Sequence, residues 1–315
     1  MSQRVIASQF GDIMDSELAQ ALPAVEWLKL PPGAPASLPP EVEVLLAATF
    51  PNDPASPARE RPVGWPFSLK WVQVISAGID SYPPWLFEVP KVSTARGVAA
   101  EPIAEYVLAA IFEHAKKMPR LWIDGPEQWK QSRLGMVRDT TLGIVGVGPI
   151  GLALATKAMA LGMRVQALRR SDAPLSVPGI ERATSLGAMF AECDHLVLAA
   201  PATRETQHMV NAAVLAQAKR GLHLINIGRG ALIDQDALLS ALDAGAIARA
   251  TLDVTDPEPL PAGHALYAHP KVRISPHTSA ISSYIREALI AKVKRNLARF
   301  EAGQDPEDLI RGGPD

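Results

Sequence analysis

The sequence is poor in cysteine, in long apolar runs and in net charge. Cys193 is its only cysteine, so no disulfide can form within the chain, and we expect a reducing compartment, the cytoplasm. No apolar run approaches the roughly 18 residues that span a bilayer, and residues 1–10 do not have the pattern of a signal peptide. The 31 basic and 33 acidic residues leave a net charge of −2, which gives no reason to expect nucleic acid or a membrane as a partner.

What the sequence does have is a repeated alternation of apolar strand-like runs with helix-like segments. With 315 residues and 48% hydrophobic composition, the chain is long enough for two α/β domains, each with a doubly wound parallel sheet, the second beginning near Ala95. Helical periodicity predicts a helix over 101–118 and an amphipathic C-terminal helix over 282–303. Two proline-rich stretches, 31–40 and 51–66, are predicted to be surface loops.

The motif GVGPIG lies between a predicted strand and a predicted helix, which is the context that makes a glycine loop informative. Gly146 allows a tight turn, Gly148 lets the backbone approach a pyrophosphate, and Gly151 lets the helix pack close to the strand. Pro149 suits the first turn of that helix, because its missing N–H would have no partner there. The loop, with Ile150, therefore predicts a dinucleotide site in which the free N–H groups of the helix face the phosphates.

The residues after the next strand bear on the choice of dinucleotide. A carboxylate that binds the adenosine ribose is expected eighteen positions after Gly151, but the chain has Arg169 there, followed by Arg170 and Ser171. Guanidinium groups match the geometry and charge of a 2′-phosphate, so these residues favour NADP(H), with NAD(H) as the other possibility. The alternative is that both arginines are solvated residues that follow an edge turn.

Three further motifs place chemistry-bearing residues directly after predicted strands, at the edge where open α/β sheets bind ligands. They supply Arg229 in INIGRGALID, Glu258 in LDVTDPEPLP and His277 in ISPHTSA. An arginine can bind a carboxylate and polarise a neighbouring carbonyl, and a histidine can give that carbonyl a proton. A glutamate hydrogen-bonded to the imidazole orients it and favours its protonated form. With a nicotinamide nearby, the three suit reduction of a 2-oxo acid to a 2-hydroxy acid.

The remaining candidates are given structural interpretations. His264 and His269 lie in a loop without a third clustered ligand, so no metal site is expected. Cys193 is interpreted as an inert small residue. Surface or helix-end positions are predicted for His114, His195, His208 and His223.

Taken together, GVGPIG, INIGRGALID, LDVTDPEPL and SPHTSA resemble the motifs of the D-isomer-specific 2-hydroxyacid dehydrogenase family. The resemblance spans roughly the whole chain and implies that Arg229, Glu258 and His277 form the family's catalytic triad. It also implies a Rossmann cofactor domain, 96–283, inserted in a smaller flavodoxin-like substrate domain made of 1–95 and 284–315.

Further roles are implied by the same resemblance. Ala77 and Gly78 in ISAGIDSY match the loop whose N–H groups bind the substrate carboxylate, and the 101–118 helix region matches the one through which family members form homodimers. Asp253 matches an acidic residue near the nicotinamide, although it can also satisfy backbone groups at its strand end. The other implied cofactor contacts are Pro201, Thr206 and Ile227.

The basic RRS segment resembles the NADP-preferring glyoxylate and hydroxypyruvate reductases of the family. The function expected is NADPH-dependent reduction of a small 2-oxo acid to the D-2-hydroxy acid, with His277 as proton donor. Two alternatives remain open: an NAD-dependent oxidation of a D-2-hydroxy acid, of the phosphoglycerate dehydrogenase kind, and a nucleotide-sensing protein that resembles the family's corepressors.

Overall fold

The computed structural model of the protein describes residues 4–51, 56–118, 120–170 and 174–310. The chain divides into two compact units, one made of Met1–Val98 with Ser282–Asp315 and the other of Ala99–Ile281. The second unit is therefore a single insertion in the first. The boundaries expected from the sequence, at 95/96 and 283/284, differ from these by three and two residues.

The described residues form strands and α-helices that alternate along most of the chain. The strands are β1 Arg4–Ser8, β2 Val25–Lys29, β3 Val44–Ala47, β4 Trp71–Val74, β5 Lys91–Ser93, β6 Thr141–Val145, β7 Arg164–Leu168, β8 Ile180–Arg182, β9 His195–Leu198, β10 His223–Asn226, β11 Arg249–Leu252 and β12 Val272–Ile274. The α-helices are α1 Asp12–Ala21, α2 Ala100–Lys116, α3 Pro149–Ala160, α4 Leu186–Glu192, α5 Ala212–Leu215, α6 Gln235–Asp243, α7 Ala265–Ala268 and α8 Tyr284–Glu301.

The first unit contains a five-stranded parallel sheet in the order β2-β1-β3-β4-β5, the flavodoxin-like order. Apolar cores lie on both faces of this sheet, and α8 belongs to one of them through Leu289, Val293 and Leu297. A polar contact adds to this packing, because buried Asn296 of α8 donates to the side-chain oxygen of Gln73 in β4 (2.9 Å). The C-terminal helix thus completes the unit that the first 98 residues begin.

The second unit contains a seven-stranded parallel sheet in the order β12-β11-β10-β9-β6-β7-β8. Strands β6 and β9 are neighbours although β7 and β8 intervene in sequence, so the strand order reverses between them. In open α/β sheets, ligands bind at such a reversal, beyond the carboxyl ends of the strands. The prediction of two doubly wound parallel-sheet domains is confirmed.

The inner strands of this sheet are buried because helices cover both of its faces. Every residue of TLGIV in β6 is buried, as is every residue of HLVL in β9. One face packs on α2 and α3, and the other on α4 and α6. This explains why these strands read as continuous apolar runs rather than alternating ones.

One strand, β8, was not predicted, because its sequence, IER, has no apolar run. In the proline-rich stretches, 31–40 contains neither helix nor strand, and the described part of 51–66 holds a 3₁₀ turn, Pro57–Arg59. No helix of the described residues is long and apolar enough to cross a membrane.

Two of the histidines predicted near the surface lie in the core instead, so that prediction was wrong for both. His195 and His223 open the neighbouring strands β9 and β10, and their Nδ1 atoms are 3.3 Å apart. His114 of α2 packs on them, with its ring centroid 4.7 Å from that of His223. Burial is the main cause that lowers the pKa of all three imidazoles, and it brings that of His195 to about 4. Repulsion from neighbouring imidazoles also lowers the pKa of His195 and His223, whereas for His114 the second cause is the charge of Arg249.

This cluster predicts that the protein loses stability in mildly acidic solution. In the unfolded chain His195 takes up a proton below about pH 6.5, but in the folded chain it does so only near pH 4. The loss therefore begins near pH 6.5 and is complete near pH 4, and between pH 7 and 5 His195 alone accounts for about 2 kcal/mol. The measurement is the free energy of unfolding in urea at both pH values. His195→Asn should reduce the difference, whereas the exposed His208→Asn should leave it unchanged; equal differences in all three proteins would contradict the assignment.

Candidate active site

The glycine loop joins β6 to α3 with a geometry that only small residues permit. Gly146 has φ +100°, and a Cβ atom there would lie 2.7 Å from the carbonyl oxygen of Ala199. Gly148 precedes α3, Pro149 is its first residue, and a Cβ on buried Gly151 would lie 2.6 Å from the Gly146 oxygen. The first turn of α3 thus lies against the carboxyl end of β6, where its N–H groups suit a pyrophosphate. The residues present fit a dinucleotide.

The two arginines follow the strand beside this loop. Val145 at the end of β6 is in register with Leu168 at the end of β7. Arg169 follows Leu168 and therefore lies at the same edge of the sheet as the glycine loop. Arg169 is half-buried and Arg170 is exposed, while Ser171 lies outside the described residues. A hydrogen bond from Thr203 lowers the pKa of the Glu205 carboxyl, and the charge of Arg170 adds to this effect.

The other expected cofactor residues lie in or after neighbouring elements. Thr206 holds the loop that follows β9, because its hydroxyl donates to the carbonyl oxygen of exposed Pro201 (2.8 Å) and accepts from the Thr203 N–H (2.7 Å). Ile227 directly follows β10 and is buried, and Ile150 is half-buried in the first turn of α3. These residues lie at the carboxyl edge of the sheet, where a dinucleotide site is expected.

Arg229 follows β10 at the same edge, in a segment held by backbone contacts. The side chain of Asn226 donates to the carbonyl oxygen of Arg229 (2.8 Å), and Arg229 Nη1 donates to the Gly228 oxygen (2.8 Å). Next to it, a Cβ on Gly230 would lie 2.0 Å from the carbonyl carbon of Thr255. The absence of a side chain at Gly230 therefore lets the Arg229 segment lie directly on the loop that carries Glu258.

Glu258 and His277 are paired, as the sequence analysis expects. Their Oε2 and Nδ1 atoms are 2.8 Å apart, and the second carboxylate oxygen accepts from the Thr255 N–H (3.1 Å). The side chains are 37% and 50% exposed, so the pair is open to a ligand. Since Nδ1 faces the carboxylate, Nε2 is the nitrogen that can exchange a proton with a substrate.

A network centred on buried Asp253 holds the backbone of His277 in place. His277 has φ +48°, a conformation unusual for a residue other than glycine, and its N–H donates to the Asp253 carbonyl oxygen (2.9 Å). The Asp253 carboxylate accepts from the Ser275 hydroxyl (2.6 Å) and the Thr278 N–H (2.9 Å). Asp253 therefore satisfies backbone groups near its strand end, which is the structural role considered for it above. Its contact with a nicotinamide remains a prediction.

The sequence analysis missed two members of this network. The Tyr106 hydroxyl of α2 lies 2.6 Å from the Ser275 Oγ atom, 169 positions away in the chain. Ser275 immediately precedes the Pro276-His277 pair, which was the available signal for its importance. Nothing in the periodicity of α2 distinguishes Tyr106 from an ordinary helix residue.

The expected substrate loop lies in the first unit, after β4. Ala77 is exposed and Gly78 half-buried. The Ser76 hydroxyl donates to the Gly78 carbonyl oxygen (2.6 Å) and lies 3.0 Å from the hydroxyl of buried Tyr82. Burial raises the pKa of Tyr82, which therefore stays neutral and able to donate. Ser76 and Tyr82 were also missed, and they fix the loop whose N–H groups are expected to meet a carboxylate.

Comparison with known proteins places this arrangement in a family. Residues 108–279 match the sequence model described as the NAD binding domain of D-isomer specific 2-hydroxyacid dehydrogenases. The chain belongs to this family. The resemblance seen in the four motifs is confirmed, and so is the expectation of an NAD(P)-dependent dehydrogenase with a Rossmann domain.

Individual relatives agree with this membership. A glyoxylate/hydroxypyruvate reductase A of Serratia proteamaculans is 31% identical over 77% of this chain and 80% of its own length. A glyoxylate reductase of Korarchaeum cryptofilum is 35% identical over 70% of this chain and 68% of its own. The solved structure of a D-isomer specific 2-hydroxyacid dehydrogenase from Xanthobacter autotrophicus Py2, in complex with NADPH and MES, has 27% identity and a TM-score of 0.80 and covers 99% and 98% of the two chains.

Proposed function

We propose that this protein reduces a small 2-oxo acid, of the glyoxylate or hydroxypyruvate type, to the D-2-hydroxy acid with NADPH. The observation that carries the proposal is the 2.8 Å contact between His277 and Glu258, at the sheet edge that also presents the glycine loop and Arg229. The reductases of S. proteamaculans and K. cryptofilum support the substrate class by their names.

The proposed catalytic roles are supported by the chemistry of each side chain and, for His277 and Glu258, by their contact. Arg229 binds the substrate carboxylate with its forked guanidinium and draws electron density from the neighbouring carbonyl. His277 gives the carbonyl oxygen a proton from Nε2, while Glu258 at Nδ1 orients the ring and stabilises the imidazolium. That the N–H groups of Ala77 and Gly78 also bind a substrate carboxylate stays a prediction from the family resemblance. When bound, the reduced dinucleotide supplies the hydride that the carbonyl carbon accepts.

The substrate test is a panel of 2-oxo acids, including glyoxylate, hydroxypyruvate and pyruvate, with NADPH and with NADH. We expect NADPH oxidation with at least one of the first two, and a D-configured product where the product is chiral. Absence of turnover with every member would contradict the proposal. Turnover confined to the oxidation of D-2-hydroxy acids with NAD would support the dehydrogenase alternative, and a partner captured only in the presence of dinucleotide would support the corepressor-like alternative.

Preference for NADPH is proposed from Arg169 and Arg170, and the NADPH complex of the X. autotrophicus relative is consistent with it. Replacing Arg169 with aspartate removes a charge-assisted contact and repels the 2′-phosphate. The ratio of kcat/KM for NADPH to that for NADH should fall about 10²-fold, corresponding to about 3 kcal/mol. Arg220→Asp, at an exposed position before β10, makes the same charge change away from this edge and should keep the ratio. A ratio unchanged in Arg169→Asp would contradict the assignment.

A homodimer formed through the 101–118 helix region is also proposed. The segment that follows α2 exposes several large apolar side chains, which a second copy would cover: Trp122, Ile123, Trp129, Leu134 and Met136. Trp129→Glu should shift the mass in sedimentation equilibrium from dimer towards monomer. Val63→Glu, at an apolar residue of the first unit that is still more exposed, should leave the mass unchanged. A wild-type monomer would contradict the proposal.

A further inference from the structure

The second unit has a cavity of about 690 Å³ at the edge of its sheet opposite the candidate active site. Ala248 and Arg249 lie where β11 begins, and Lys271 immediately precedes β12. His277 and the Glu258 loop follow the other ends of the same two strands. One strand of four residues separates the two edges by roughly 13 Å. The cavity is therefore not part of the site described above.

The lining of this cavity is strongly basic. It includes His114, Lys117, Arg120, Arg249 and Lys271, and none of the described residues that line it is an aspartate or a glutamate. The nearby Glu113 is engaged by Arg249, whose Nη2 lies 2.7 and 2.8 Å from its two oxygens. One carboxylate thus offsets one guanidinium, and Lys117, Arg120 and Lys271 add three further positive charges around the cavity.

Burial and the clustered positive charges lower the pKa of two residues that line the cavity, Arg249 and His114. Burial lowers the pKa of Arg249, and the positive charges of Arg273 and Arg120 lower it further, against the opposing effect of Glu113. Burial and then the charge of Arg249 lower the pKa of His114. The Nε atom of Arg249 is buried without a hydrogen-bond partner among the described residues. Like charges held together in this way are stabilised by a bound anion.

We propose that this cavity binds a small organic phosphate, either a phosphate monoester or a diphosphate. Such a group carries about two negative charges or more, which suits three cations, and its tetrahedral oxygens accept hydrogen bonds from several sides. Met118, Leu121 and Pro270 provide apolar surface for the carbon skeleton of the ligand. The volume lies within the range of small-molecule sites. The ligand would thus bind at the edge of the cofactor domain remote from its catalytic residues.

Ligand binding in this cavity can be detected through His114. His114 lines the cavity and packs on the buried pair His195 and His223. A bound dianion offsets the positive potential of Arg249, so the pKa of His114 should rise when the ligand binds. Histidine ring signals in NMR report this change without any measurement of activity.

The experiment uses inorganic pyrophosphate as the probe and the whole protein saturated with NADPH, so that the dinucleotide site is filled. Calorimetry at constant ionic strength should show one binding event per chain. Lys117→Asn combined with Arg120→Gln should weaken it at least 10-fold and abolish the response of His114. Asparagine suits Lys117, whose φ is +58°. The matched control, Arg220→Gln with Lys294→Gln, removes two exposed cations outside the lining and should bind like the wild type.

Several results would overturn the proposal. These are absence of pyrophosphate binding to the saturated protein, equal affinity in the double variant, and equally tight binding of citrate, which would remove the assignment to phosphates. Protection of Lys117 from acetylation in a dimer without added pyrophosphate would show that a second copy fills the cavity. None of these measurements depends on turnover, so failure here and failure of the proposed reaction are distinguishable.

Discussion

Replacing His277 with glutamine should lower kcat for 2-oxo acid reduction about 10³-fold. Glutamine keeps a hydrogen-bonding group near Glu258, but it cannot give a proton to the carbonyl oxygen. General acid catalysis by a positioned side chain contributes between about 10² and 10⁴ in rate. KM for the 2-oxo acid should change little, because Arg229 still binds the carboxylate. The measurement is steady-state NADPH oxidation with glyoxylate.

His269 provides the matched control for this experiment. Its Nε2 atom lies 3.3 Å from the Asp243 carboxylate, so it is also a histidine paired with an acid, but it precedes β12 instead of following it. His269→Gln removes the same kind of contact at the opposite edge of the sheet. We expect kcat to stay within about twofold of the wild type. Comparable losses in both variants, or full activity in His277→Gln, would exclude His277 as the proton donor.

How far the sequence predicts this structure depends on the range of the interactions involved. Strands such as β6 and β9 are predictable because a parallel strand covered on both faces is apolar throughout, and the glycine loop is predictable because its spacing has local steric causes. Strand β8 shows the limit: the edge position exposes Glu181 and Arg182, so its sequence carries no apolar signal.

Long-range pairings mark a second limit. His195 and His223 resemble surface residues in sequence, yet each opens a strand in the interior of the sheet, and only strand register brings them together. The contact between Tyr106 and Ser275 likewise depends on how α2 packs, which no local pattern encodes. The pairing of Glu258 with His277 was expected because strand ends meet at one edge and because the family resemblance identifies both residues.

Replacing Arg229 with glutamine should lower kcat/KM for glyoxylate about 10³-fold, or about 4 kcal/mol. Removing one partner of a desolvated charged contact typically costs 2–5 kcal/mol, and the variant also loses a positive charge beside the developing oxyanion. The kcat/KM of Arg229→Lys should lie between those of the wild type and Arg229→Gln, since lysine keeps the charge and loses the forked geometry. The thermal unfolding midpoint should be recorded for each variant, because Asn226 and Gly230 hold the same segment through the backbone.

Substrate chemistry separates a binding role of Arg229 from a structural one. If the guanidinium binds the carboxylate, the wild type should prefer pyruvate to pyruvamide, which has the same carbonyl but no charge. Most of this preference in kcat/KM should disappear in Arg229→Gln, because the two substrates differ only at the group that the residue contacts. A variant that merely distorted the segment would lose activity towards both substrates equally and keep the preference. Retention of the full preference would therefore assign carboxylate recognition to other groups, of which the N–H donors of Ala77 and Gly78 are the first to examine.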